Sequence, residues 1–400
     1  MNTDSGDSKM STRTKRWRDR RADAEKEAVL NPARAKARKR KKRKRMLLIT
    51  AVIIAVIILG VAGGVAAAGI MGRHNLSVQA ASPTPTLVTA ETAEAVLTEE
   101  EQLEWQEGWI RYAGSIYEYD NSLLTFLFMG VDKRDETLRE VVGATNGGQA
   151  DALFLMVIDP GDKRVRVIAI NRNTMVPIEV YDENGSYVST VTGQINTQHG
   201  FGNGLEQSCE YQVRAVDNLM YNIPIHGYVA VNMAAVKTIT DAVGGVDLTV
   251  LEDVTTSGDH KLIFKQGDEL HMDGETAYRY VTVRDTAVRE SANGRLEREK
   301  QYLTELIDRI KEQTRSDITT PVKLYNALAE QMVTNITASE VAYLAGMAGN
   351  FRFDSGDIYT LEGEYVAAED NPDSVFDEFY PDEDALQRLI IEVFYKEVHQ

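Results

Sequence analysis

Two carboxylates and four arginines carry the chemistry this sequence can offer. Asp132 follows a glycine at the end of an apolar run in "FMGVDKR", and Asp151 opens the next apolar run in "GGQADALF". Carboxylates at two neighbouring strand ends can share a hard cation. Mg2+ takes oxygen ligands, keeps several waters and needs few carboxylates when substrate phosphates complete its shell. Both aspartates equally suit turn or cap positions, where the short polar side chain bonds nearby backbone. Arg172 ends "RVRVIAINR", Arg284 ends "RYVTVR", and Arg295 and Arg298 lie three apart in "NGRLEREKQ", at the start of a helical pattern. Residues three apart share one side of a helix, and a helix N-terminus attracts anions. Guanidinium forks match phosphate bidentately and stay charged. Gathered in one place, the four would hold a phosphate group; spread out, they would be surface ion pairs in an acidic chain.

Arg172 raises a question of its own. It stands between Asn171 and Asn173 at the end of an apolar strand, where burying a guanidinium needs an anionic partner. Asn173 can accept a hydrogen bond from it through the amide carbonyl, but cannot serve as a general base. The remaining reactive side chains read as structural. His199 and His226 have no second ligand at zinc spacing. Cys209, the single cysteine, cannot form an internal disulfide and falls in the first half of a helical segment, as a small buried residue would.

The elements that must position these groups alternate along the chain. "LLTFLFMGVD" and "DALFLMVID" read as strands, and "RVRVIAINR" pairs with the second across the turn "PGDK". Helical spacing marks residues 98–120, 205–220, 233–243, "GETAYRY" and the long amphipathic "GRLEREKQYLTELIDRIKEQTR", whose stripe of Leu296, Tyr302, Leu303, Leu306 and Ile310 reads as core. Helices and strands interleave without a second linker, which predicts one α/β domain with helices over a central mixed sheet.

The 400 residues carry a net charge of −17, shared unevenly. Residues 1–45 hold about 18 Lys/Arg against about 6 Asp/Glu, roughly +12, and the rest roughly −29. Between the two lies "MLLITAVIIAVIILGVAGGVAAAGIM" (46–71), uncharged and about 26 residues long, enough to cross a bilayer with some tilt. A cleaved signal peptide has a shorter apolar core, so a retained single-pass anchor is expected. "KARKRKKRKR" precedes the run, so residues 1–45 are expected to be a disordered cytoplasmic head and the rest extracellular, in the cell membrane. The head lacks any nucleic-acid recognition motif, so its expected partner is anionic lipid and not nucleic acid. Residues 72–97 form a Ser/Thr/Pro-rich stalk, and 98–400 the extracellular domain.

The ordered segments "FLFMGVD", "QADALFLMVID", "KRVRVIAINRNTM", "ITDAVGGVDLTV", "GDELHMDGETAYRYVTVRDT" and "NGRLEREKQYL" resemble the LytR-CpsA-Psr family over about residues 121–312, with a C-terminal extension to 400. The resemblance implies a three-layer α/β/α sandwich with an apolar pocket for a polyprenyl chain. It implies a membrane-anchored transferase that moves an anionic glycopolymer, teichoic acid or capsular polysaccharide, from a polyprenyl diphosphate carrier to peptidoglycan with Mg2+. On that pattern Asp132 and Asp151 are the metal carboxylates. Arg172, Arg284, Arg295 and Arg298 contact the diphosphate, and Arg172 and Arg295 carry catalysis. The chain departs from the pattern at five places: Gln149 for an arginine, Asn173 for an aspartate, Thr282 for an arginine, Ala292 for an aspartate and Glu299 for a glutamine. These departures leave a second expectation open, a relative that binds polyprenyl phosphate lipids without turnover.

Overall fold

The computed structural model describes residues 108–133, 138–141, 146–285, 291–348, 351–370 and 376–398. The basic head (1–45), the apolar run at 46–71 and the stalk at 72–97 lie outside the described residues, and among the described residues no helix is long and apolar enough to cross a membrane.

A hairpin, β1 (Trp109–Tyr112) and β2 (Ser115–Tyr119), comes first, where helical spacing was expected. Ala113 and Gly114 turn the chain with φ of 48° and 88°, as a tight two-residue hairpin loop requires. The Ile and Tyr residues of β1 and β2 favour a pleated surface. The deciding contact is remote: β2 pairs on its other edge with the C-terminal β17 (Tyr395–Glu397). Then come β3 (Leu124–Val131), β4 (Ala150–Asp159) and β5 (Arg164–Ile170), the last two an antiparallel hairpin as expected. A second hairpin, β6 (Met175–Tyr181) and β7 (Tyr187–Gln194), leads through a 3-10 helix (Ile195–Phe201) into α1 (Glu206–Leu219). β8 (Gly227–Asn232) and α2 (Ala234–Ala242) precede four short strands, β9 (Val246–Thr249), β10 (Val254–Thr255), β11 (Leu262–Phe264) and β12 (Glu269–Met272). Helix α3 (Gly274–Thr282) starts at Asp273, whose carboxylate accepts from the Thr276 amide at 2.9 Å, and α4 (Ser291–Ser316) follows. The chain ends with α5 (Thr320–Ala327), β13 (Met332–Thr334), α6 (Ala338–Ala348), β14 (Ile358–Thr360), β15 (Gly363–Val366), β16 (Glu378–Pro381), α7 (Glu383–Phe394) and β17.

The central sheet has the order β13-β8-β3-β4-β5-β14 and is mixed: β3 runs parallel to β8 and antiparallel to β4, while β14 runs parallel to β5. Alternate residues of β3 face two different cores. Leu127, Met129 and Val131 pack with Val216 of α1 and with Ile390 and Phe394 of α7. Leu124, Phe126 and Phe128 turn to the other face, toward Val341 and Leu344 of α6. Helices therefore cover both faces of the sheet. The C-terminal extension is part of this core: α7 fills it and β14 forms an edge of the sheet. Replacing the wholly buried Phe394 with alanine is expected to cost about 3–5 kcal/mol, read as a lower urea midpoint at unchanged slope.

Candidate active site

The carboxyl ends of β4's neighbours and the bulge that opens β4 build the site. Along β4, Leu153, Leu155 and Val157 face the main core, so strict alternation would drive Asp151 into it. A β-bulge prevents that. Val131 pairs with Ala150 and Gly130 with Ala152, leaving Asp151 as the extra residue. Ala150 takes the core position and the Asp151 carboxylate is released from it. Gly130 suits the close approach here, since a Cβ on it would lie 3.0 Å from that of Ala152.

Arg172 is presented by a tight turn. The Thr174 amide donates to the Asn171 carbonyl at 3.0 Å, and the Asn171 side chain accepts from the Asn173 amide at 2.9 Å. Both flanking asparagines are thus turn residues. The Asn173 side-chain carbonyl does not accept from Arg172: it accepts from Gln194 Nε2 at 3.0 Å. The partner of Arg172 comes from the adjacent strand, with Nη1 2.5 Å from Asp151 Oδ2. The amide at 173 and the guanidinium at 172 point to different partners, which resolves the pairing question the sequence raised. Arg172 Nη2 also donates to Gln149 Oε1 at 3.3 Å. Asn196, from the 3-10 helix, ties the two acceptors together, donating to Gln149 Oε1 and Asp151 Oδ1 at 3.2 Å each. Sequence reasoning missed Asn196; its signal in the sequence was the polar run in "INTQHG", and the structure buries Asn196, Gln198 and His199 from it.

Three arginines meet here. Arg295 Nη1 lies 3.7 Å from Asp151 Oδ2. Burial, opposed by Asp151 and reinforced by Arg295 and Arg284, holds Arg172 below the usual arginine range. Arg284, after α3, is held down by burial and by Arg295, with Asp151 acting the other way. Like charges this close need negative charge among them, and Asp151 acts on all three. The Glu299 carboxyl lies 3.3 Å from Arg295 Nε. Thr282, by contrast, bonds back to the Tyr278 carbonyl, and Ala292 lies outside the described side chains.

Arg298, expected to contact the diphosphate with the others, is turned to different partners here. A three-residue offset places two helix side chains about 60° apart, so Arg295 and Arg298 diverge around α4. Arg298 is 1% exposed. It donates to the carbonyls of Tyr280 and, at 2.9 Å, Val283, and lies 3.1 Å from Glu252. These carbonyls belong to the C-terminal end of α3, where unpaired acceptors and the negative end of the helix dipole favour a cation. Arg298 is a helix cap.

Asp132 is exposed on the strand end next to Asp151, with its amide donating to the Gln149 carbonyl at 2.9 Å. Among the described residues no three His, Cys, Asp or Glu side chains form a metal-binding group. Asp132, Asp151 and the buried Asn196 Oδ1, which has no hydrogen-bond partner among the described residues, are all hard oxygen donors. That set fits Mg2+ when substrate oxygens complete the shell.

The face of the sheet reached from Asp151 is apolar and half covered: Phe128, Ala152, Phe154 and Met156 are all partly exposed. The register places Phe128 beside Phe154 and Phe126 beside Met156, so these residues form continuous rows.

The division of labour among the arginines is measurable. Arg298→Met leaves two buried carbonyls and Glu252 unpaired and is expected to lower stability by roughly 3 kcal/mol. Arg295→Met is expected to abolish binding of diphosphate while changing the melting temperature less.

Residues 87–387 match the LytR_cpsA_psr family. The polyisoprenyl-teichoic acid–peptidoglycan teichoic acid transferase TagV of Bacillus subtilis is 30% identical over 245 residues, 60% of this chain and 56% of TagV. TagU of Bacillus anthracis, of the same named activity, is 28% identical over 218 residues, 54% of this chain and 62% of TagU. The chain spans little more than half the length of these curated relatives. The crystal structure of Bacillus subtilis TagV superposes with a TM-score of 0.51 at 28% identity, covering 68% of this chain and 96% of that one. Protein gbs0355 of Streptococcus agalactiae shares the fold at 19% identity, with a TM-score of 0.53 over 68% of this chain and 86% of that one. With the family match running through the whole site, this chain belongs to the LytR-CpsA-Psr family.

Proposed function

We propose that this protein transfers an anionic glycopolymer, of teichoic acid or capsular polysaccharide type, from a polyprenyl diphosphate carrier to peptidoglycan. One observation carries the reading: Arg172, Arg284 and Arg295 converge on Asp151 at the edge of a half-covered apolar sheet face. A diphosphate offers the guanidiniums the paired oxygens they are shaped for, and the apolar rows offer the prenyl chain a dry surface. The named activities of the TagV and TagU relatives support the same substrate class. The run at 46–71 would anchor the chain in the cell membrane, with the domain outside, where peptidoglycan is found.

In this reaction an acceptor sugar hydroxyl attacks the glycan-side phosphorus. A new oxygen–phosphorus bond forms, the bond to the bridging oxygen breaks with its electron pair leaving on prenyl phosphate, and the hydroxyl proton is lost to water. Arg172 and Arg295 oppose the charge that develops on the phosphoryl oxygens, the main contribution a protein makes to phosphoryl transfer. Arg284 holds the second phosphate. Mg2+, held by Asp132 and Asp151, would supply further charge neutralisation. Asn173, with its side-chain carbonyl given to Gln194, takes no proton in this scheme.

The full-length chain in detergent, given Mg2+, a prenyl-diphosphate-linked glycan and peptidoglycan, is expected to release prenyl phosphate and label the peptidoglycan. Chelating the metal with EDTA is expected to stop transfer. Arg172→Ala is expected to lower kcat/KM by about a hundredfold or more. Binding without transfer, with transfer restored only in the Asn173→Asp, Thr282→Arg, Glu299→Gln combination, would instead assign a lipid-binding role without turnover.

A further inference from the structure

Glu299 is the carboxyl of the site for which the transfer reading has no use. It is 8% exposed, on the side of α4 that faces the arginine group. The charged groups facing it are Arg295 and Arg298 from its own helix, Asp151 from β4 and Arg172 from the turn after β5. Arg295 stands between the two acids, with Nη1 toward Asp151 at 3.7 Å and Nε toward Glu299 at 3.3 Å. The second contact is out of line for a hydrogen bond, and Arg295 Nε is buried without a hydrogen-bond partner. A buried carboxylate in its charged form needs aligned donors to offset the lost hydration. Glu299 has a cation nearby but not that alignment.

A bound diphosphate brings two negative charges to the same guanidiniums. Charged Glu299 would then compete with the ligand for Arg295 and repel it. A neutral carboxyl reverses the sign of the contact, because its O–H is a donor. We propose that Glu299 takes part in lipid diphosphate binding as a neutral carboxyl, so that ligand and one proton enter the site together and the O–H donates to a phosphate oxygen. This rests on the diphosphate reading above. The family pattern has glutamine here, whose amide donates at every pH; a glutamate donates only when protonated.

The direction of titration agrees with the geometry. Burial pushes Glu299 up to about 7, with Asp151 adding to the rise and Arg295, Arg298 and Arg172 opposing it. A nearby diphosphate raises it further, since a like charge disfavours the ionised form. Below about pH 7 the free site already carries the proton and binding takes up none; above it, each ligand must bring one, and affinity falls as pH rises.

The test is calorimetric titration of the full-length chain in detergent with a prenyl diphosphate joined to N-acetylglucosamine, whose two phosphates keep a constant charge. Buffers of different ionisation enthalpy reveal the protons exchanged. Runs in EDTA and with Mg2+ separate any part due to the metal. At about pH 8 the wild type is expected to take up about one proton per ligand, with affinity falling about tenfold per pH unit. Glu299→Gln is expected to bind with neither the uptake nor the slope. Wild-type binding without uptake, or uptake that survives in Glu299→Gln, would overturn the inference and leave the diphosphate reading standing. Absence of binding in both proteins would overturn the diphosphate reading and this inference with it.

Discussion

The repulsion among Arg172, Arg284 and Arg295 is the constraint on which the rest of the site depends. Three guanidiniums partly removed from water need negative charge among them, and Asp151 supplies it to all three. Asp151 is the hinge of the arrangement. It meets Arg172, Arg295 and Asn196 at once, and it can do so because the bulge at the start of β4 frees its side chain from the main core. A regular strand would have put the carboxylate into an apolar layer and left the arginines without a counter-charge.

The same economy of charge explains why neighbouring arginines on one helix have different work. Arg295 faces the acids, while Arg298 closes the C-terminal end of α3. Because Arg284 follows directly after α3, the cap formed by Arg298 also fixes the base from which Arg284 reaches the group. Two of the departures from the family pattern are also linked in chemical kind. The aspartate expected at 173 is an amide committed to Gln194, and the amide expected at 299 is a carboxyl among the arginines.

Much of this was legible in the sequence. The β4–β5 hairpin, the buried Cys209 and the helices α1 to α4 followed from periodicity and turn residues, since each is decided mainly by local pattern, and the mixed sheet followed from the interleaving of helices and strands. The hairpin β1–β2 was misread as helix because the partner that stabilises it, β17, is at the other end of the chain. The partners of Arg298 were not legible because a spacing of three identifies a side of the helix, not the direction a long side chain takes from it.

The sequence by itself determined the inventory: which carboxylates and arginines exist, that they stand at strand and helix ends, and which family their order matches. The tertiary structure alone decided their partners. A bulge one residue long, the α3 carbonyls that take up Arg298 and the approach of Asn196 depend on contacts between segments far apart in the chain. Periodicity reports which face of an element is apolar, and it carries no record of which charged group on another element that face will meet.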